Sequence, residues 1–223
     1  MCTRLVAAAA AAAALASSGV AAAGAPAPAL PPPAGGPSVA LGVPWCGHLR
    51  NGVPLAPQGA DFFTWDMPAH RSPNPQWRRY GTRRLIDVLH GVTSAHRRAH
   101  PGRARVGIAD LSLPRGGAFG SDYGGLGHLS HQNGLDADVL YPRRDRAEAP
   151  PSRPGQIDHA AAQDLVNRFL AAGAQYVFVG VGLGLHGRRD VVQAIPHHLD
   201  HMHVRIRGQH AVRSPRSCPW RPM

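Results

Sequence analysis

Lysine is absent from this chain: all 24 residues counted as Lys+Arg are arginines. That excludes the phosphate-cradling lysine of P-loop proteins, Schiff-base chemistry and Ser-x-x-Lys acylation. Glutamate is nearly as scarce, with Glu148 the single example among 13 acidic residues. No His-Glu-x-x-His metalloprotease helix can therefore be written, and a glycosidase would have to work through aspartates. Three cysteines are too few for the thiolate-rich sets that hold structural zinc. Aromatic residues make up only 6 % of the chain and are not interleaved with the arginines. The net charge of +11 thus comes without a nucleic-acid-binding motif, and no nucleic acid is expected as partner.

The one long apolar run is also too short to span a membrane. It extends from Leu5 to Leu15 behind Arg4, and Ser17, Ser18 and Gly19 cut it off. The order of charged, apolar and small residues, ending in Ala21-Ala22-Ala23, reads as a secretory signal over residues 1–23. Cleavage near Ala23 or Ala25 predicts a periplasmic or secreted protein with no stable membrane span. Cys2 precedes the apolar run and is not placed as a lipoprotein cysteine. Export leaves Cys46 and Cys218 as a pair in an oxidising compartment, which reads as a disulfide, two buried thiols being the alternative. Residues 24–42 are Ala, Pro and Gly with few large apolar side chains and read as a linker. The folded domain is expected over 43–223.

Within that domain, Thr82 can cap a helix bearing Leu85, Val88, Leu89 and Val92 on one face, ended by Pro101-Gly102. Asp158 can cap a second, carrying Ala162, Leu165, Val166 and Phe169 as far as Gly173. Strands are expected at 105–111, 137–141, 176–181 and 201–206, and Pro57 to Pro75 reads as ordered loop. Helices and strands mix without a β-α-β rhythm, so the expected class is α+β with a small antiparallel sheet flanked by helices and long loops.

Chemistry-bearing residues gather in two segments, 127–138 (GHLSHQNGLDAD) and 197–205 (HHLDHMHVR). On a strand, His201, His203 and Arg205 share one face, while Met202, Val204 and Ile206 take the other and suit a core. Asn133-Gly134 signals a turn, so His131 before it and Asp138 after it can reach one point. Asp136 shares the strand face of Asp138, as a supporting partner or an alternative ligand. Two imidazoles and one carboxylate suit Zn²⁺ and would leave a fourth position for water. A salt-bridged His–Asp pair on a loop is the plain alternative.

These residues resemble a known family. The pattern Gly127-His128-x-Ser130-His131-Gln132-x-Gly134-x-Asp136-x-Asp138, then His198-x-x-His201-x-His203-Val204-Arg205, is similar to the penicillin-insensitive murein endopeptidases. The preceding Asp110-Leu-Ser-Leu-Pro-Arg-Gly-Gly117 segment matches as well. The family belongs with the D-Ala-D-Ala metallopeptidases, lysostaphin-type endopeptidases and the hedgehog domain. The resemblance runs from about Tyr80 to Arg207. It implies one zinc ion held by His131, Asp138 and His203 on a small antiparallel sheet. It places His201 as the catalytic group, with His128, His198 and Ser130 nearby. The implied activity is hydrolysis of peptidoglycan cross-links between D-Ala and a diamino acid. A zinc carboxypeptidase of the D-Ala-D-Ala type and a non-catalytic cell-wall binding module are the alternatives. Arg205 or Arg115 can hold a substrate carboxylate or simply sit in solvent. The chain departs from the family in having at most one disulfide and in lacking aromatic residues just before His198.

Overall fold

The computed structural model describes residues 36–120 and 128–208. The chain is α+β. Its main sheet has six strands: β4 (Phe62–Thr64), β6 (Val106–Ile108), β7 (Asp136–Leu140), β10 (His201–Ile206), β8 (Ala174–Gly180) and β9 (Val192–Ile195), side by side in that order. The four central strands are antiparallel, whereas both outer pairings, β4 with β6 and β8 with β9, are parallel. Two small hairpin-like pairs complete the strands: β1 (Val39–Val43) with β2 (Cys46–Arg50), and β3 (Val53–Pro54) with β5 (Tyr80–Gly81).

Helix α1 (Arg83–Ala99) starts where Thr82 accepts a hydrogen bond from the Leu85 N–H, and α2 (His159–Ala171) where Asp158 accepts one from Ala161. Both caps satisfy amide groups that a helix start leaves open. The buried stripes are Leu85, Ile86, Leu89 and Val92 on α1, and Ala162, Leu165, Val166 and Phe169 on α2. Both lie against one face of the main sheet, where Ala137, Val139, Val177, Met202, Val204 and Ile206 fill the same core. Alternation along β7 and β10 sends Asp136, Asp138, His201, His203 and Arg205 to the opposite face. The helix layer thus supports the sheet from one side and leaves the other for chemistry.

The loop expected over 57–75 contains β4, whose Phe62 and Phe63 are buried on opposite faces of the sheet. β1 begins at Val39, before the boundary expected at 43. Its order comes from backbone pairing with β2 across the Pro44-Trp45 turn rather than from burial, so composition gave no sign of it. Cys46 opens β2, and Cys218 lies outside the described residues, as do the expected signal segment, Gly127 and most of the linker. Among the described residues, no helix is long and apolar enough to cross a membrane.

Candidate metal centre

Strand register builds the centre. In the antiparallel pair of β7 and β10, His203 lies directly across from Asp138 and Arg205 across from Asp136. Such opposed residues put their side chains within contact distance on a common face. β8 adds Phe178 opposite His203 and Tyr176 opposite Arg205. His131 enters from the turn before β7 with a left-handed backbone (φ 68°). That turn is closed by Gly134 (φ 76°), where a Cβ would stand 2.8 Å from the Leu49 side chain and 3.0 Å from Thr82 N. The Gly134 carbonyl in turn accepts the Thr82 N–H at 2.9 Å, tying the start of α1 to the site.

Three atoms converge. His131 Nε2 is 3.3 Å from Asp138 Oδ1, His203 Nδ1 is 3.2 Å from the same oxygen, and the two nitrogens are 3.2 Å apart. A tetrahedral cation with ligands at 2.0–2.1 Å sets its ligand atoms about 3.3–3.4 Å from one another, so this triangle has the required size. The far side of each ring is already committed. His131 Nδ1 donates to the Leu111 carbonyl at 2.7 Å, and His203 Nε2 faces Asp136 Oδ1 at 3.2 Å. Both rings therefore turn their remaining nitrogens inward, an orientation that partners behind the ligands of a metal site impose. Asp138 Oδ1 is buried and accepts no hydrogen bond. Two ring nitrogens and a buried carboxylate oxygen without a hydrogen bond, facing one another at this spacing, fit a cation.

The electrostatics favour positive charge at this point. Burial alone would lower the pKa of His203, but Asp136 and Asp138 outweigh it and raise it to about 9. Burial would raise Asp138, yet the His131 and His201 charges hold it well below the usual carboxylate range. Asp136 is fully buried and is also held low, by Arg205 above all against its burial. Arg205 Nε donates to its Oδ1 at 2.6 Å, and the His131 N–H donates to its Oδ2 at 3.0 Å. Asp136 thus orients His203 and the His131 backbone and stands behind the triangle. The Arg205 guanidinium is committed to Asp136 and lies over the Trp45 and Tyr176 rings.

Two histidines flank the triangle. His201 lies at its edge, with Nε2 3.8 Å from Asp138 Oδ1 and Nδ1 2.6 Å from Asp200 Oδ1. Burial would lower its pKa, but the Asp138 charge and the Asp200 hydrogen bond raise it on balance. On the other side His128 Nε2 is 2.8 Å from Asp110 Oδ2, and its Nδ1 is 4.0 Å from Asp138 Oδ2. Asp110 is itself paired with Arg78, which reaches on to Asp66 at 2.8 Å. His198 donates from Nδ1 to the Pro196 carbonyl at 2.7 Å, with its ring 4.9 Å from that of His201. Tyr141 fixes this segment by donating to the His198 carbonyl at 3.2 Å and accepting from Gly180 N–H at 3.1 Å.

The triangle, His128, His198, His201 and Arg205 line a cleft of about 670 Å³, together with Trp45, Leu129, Ser130, Phe178, Ile195, Pro196 and His197. Arg115 is exposed on the loop after β6 and does not line that cleft. The structure adds Asp110 and Asp200, each gripping a histidine beside the triangle. Asp200 adjoins His201 in sequence, and Asp110 opens its motif. Phe119 packs on the His128 ring at 5.1 Å and carried no signal in the sequence.

Residues 40–176, more than half of the chain, match the model of the family described as penicillin-insensitive murein endopeptidase. The chain belongs to that family. A penicillin-insensitive murein endopeptidase of Yersinia enterocolitica is 31 % identical over 134 residues, 59 % of this chain and 43 % of that protein. One of Pectobacterium atrosepticum is 31 % identical over 121 residues, 53 % of this chain and 40 % of its own length. The chain thus spans less than half the length of these curated relatives. The matched family segment carries His128, His131, Asp136 and Asp138; His201 and His203 lie beyond it and join through the β7–β10 pairing.

Proposed function

We propose that the chain is a zinc-dependent endopeptidase that hydrolyses peptide cross-links of peptidoglycan, at the bond between D-Ala and a diamino acid. The observation that carries this reading is the triangle of His131 Nε2, Asp138 Oδ1 and His203 Nδ1, open to a cleft in a chain of this family. Two imidazoles and one carboxylate are a borderline N/O donor set that suits zinc. Bound there, a zinc ion supplies Lewis acidity toward a scissile carbonyl and acidifies water.

The protein's own groups do the rest. His201 is held at Nδ1 by Asp200, which leaves Nε2 facing the cleft. In that position it can pass a proton from water to the leaving amine, or as imidazolium stabilise the oxyanion of the tetrahedral intermediate. No glutamate competes for the role. His128, fixed by Asp110, supplies a second donor on the opposite side. Trp45, Phe178, Ile195 and Pro196 give the cleft apolar walls that limit water around the peptide. Arg205 is committed to Asp136, so the substrate's carboxylates need other partners. The signal-like start favours action outside the cytoplasm, and the net charge of +11 favours an anionic wall.

Mass analysis of purified cross-linked peptidoglycan after digestion tests the proposal. An endopeptidase converts cross-linked dimers to monomers by adding water at the cross-link, and His203→Ala abolishes the conversion. Release of terminal D-Ala with the cross-links intact would make the protein a carboxypeptidase. Binding without any new fragment would make it a wall-binding module.

A further inference from the structure

On the other side of the sheet from the cleft, His96 in the last turn of α1 and His100 at its C-cap lie four residues apart, and α2 brings Asp164 against both. His96 Nδ1 is 2.8 Å and His100 Nε2 is 3.1 Å from the same carboxylate oxygen, Oδ2 of Asp164. All three candidate ligand atoms lie within 4.8 Å of one another, and the two rings are 4.4 Å apart. His96 is only 2 % exposed, whereas His100 and Asp164 are half-buried at the rim. We infer that His96, His100 and Asp164 form a second divalent-cation site, of the class that takes zinc or nickel, fastening the end of α1 to α2. This inference is independent of the reading of the cleft.

The donor chemistry is that of a transition metal rather than calcium or magnesium: two imidazoles and one carboxylate. The two rings meet at the end of α1 with ligand atoms within 4.8 Å of one another, so one cation can address both. In the metal-free protein His96 Nδ1 and His100 Nε2 donate to the Asp164 carboxylate, and a cation binding there displaces their protons, as imidazole ligands require. The two N–O separations are shorter than the roughly 3.3 Å edge of a zinc tetrahedron, so along these edges the donors need part by only about half an ångström or less. Arg168 Nε donates to the same Asp164 oxygen at 2.6 Å. It is half-exposed, one turn along α2, and can retain the carboxylate through its other oxygen when a cation takes Oδ2. Water at the open rim completes the coordination. A cation held here adds to the packing and the His–Asp164 hydrogen bonds that already join the two helices, and stabilises the folded state by mass action.

Zinc titration of metal-free full-length protein tests the site. Wild type should bind two equivalents, and His203→Ala and His100→Ala one each. His100→Ala should retain its hydrolytic activity, and the double variant should bind none. Zinc should raise the unfolding temperature of His203→Ala but not of the double variant. The ring ¹⁵N signals of His96 and His100 in wild type should shift with one of the two equivalents. That measurement does not depend on any variant folding. The proposal is overturned if these signals stay fixed while zinc is taken up, if binding appears only at millimolar zinc, or if His100→Ala leaves the stoichiometry unchanged. A single wild-type equivalent lost in His100→Ala and kept in His203→Ala would uphold the helix site and defeat the reading of the cleft.

Discussion

Replacing Arg205 by methionine probes the support behind the triangle. The guanidinium makes a 2.6 Å contact to Asp136, with side chains 9 % and 0 % exposed. Removing one partner of a buried ion pair costs about 3–5 kcal/mol, because the other charge is left without compensation. Asp136 would keep the His131 N–H and the His203 ring, and methionine preserves much of the apolar stem over Trp45 and Tyr176. The expected loss therefore lies at the low end, about 3 kcal/mol. With a urea dependence of about 2 kcal/mol/M, the unfolding midpoint should fall by about 1.5 M. Asp136→Asn in the same chain removes the stranded charge, so the double variant should regain stability relative to Arg205→Met alone. A loss under about 1 kcal/mol, or a double variant as weak as the sum of both single changes, would refute the reasoning.

Other consequences follow from single residues. His201→Ala should keep its cleft metal while turnover falls by roughly 10²–10⁴-fold, the scale of a lost proton-transfer group. Metal content and cross-link hydrolysis measured on one batch check this, and loss of metal would make His201 a ligand instead. Gly134→Ala, strained at φ 76° and crowded by Leu49 and Thr82, should cost about 1–3 kcal/mol in urea unfolding. Mature protein from an oxidising compartment should carry a Cys46–Cys218 bond contributing about 2–4 kcal/mol. Two reactive thiols in unreduced, denatured protein would contradict it.

The parts legible in the sequence were those with long-enough periodicity. α1 and α2 showed their stripes and caps over more than ten residues each, and β10 showed alternation over all six of its residues. β3 and β5 have two residues apiece, too few to carry a period, and β9 is a short edge strand of mixed exposure. The parallel outer pairings arise from crossovers that local pattern does not encode. In the site, Asn133-Gly134 marked the turn, but the pairing of His203 with Asp138 joins residues 65 positions apart and is visible only as register. Arg205 pointed toward the site as alternation predicts, yet nothing local told that Asp136 would claim its charge. Asp110 was inside a noted motif, but its grip on His128 depends on a loop conformation.

The most direct test of the central claim is diffraction recorded on both sides of the zinc absorption edge, from crystals of the zinc-loaded protein. An anomalous peak should appear in the cleft about 2.0–2.2 Å from His131 Nε2, Asp138 Oδ1 and His203 Nδ1 together. No peak among these three atoms, or a peak in the cleft bound instead by His128, His198 or His201, would contradict it.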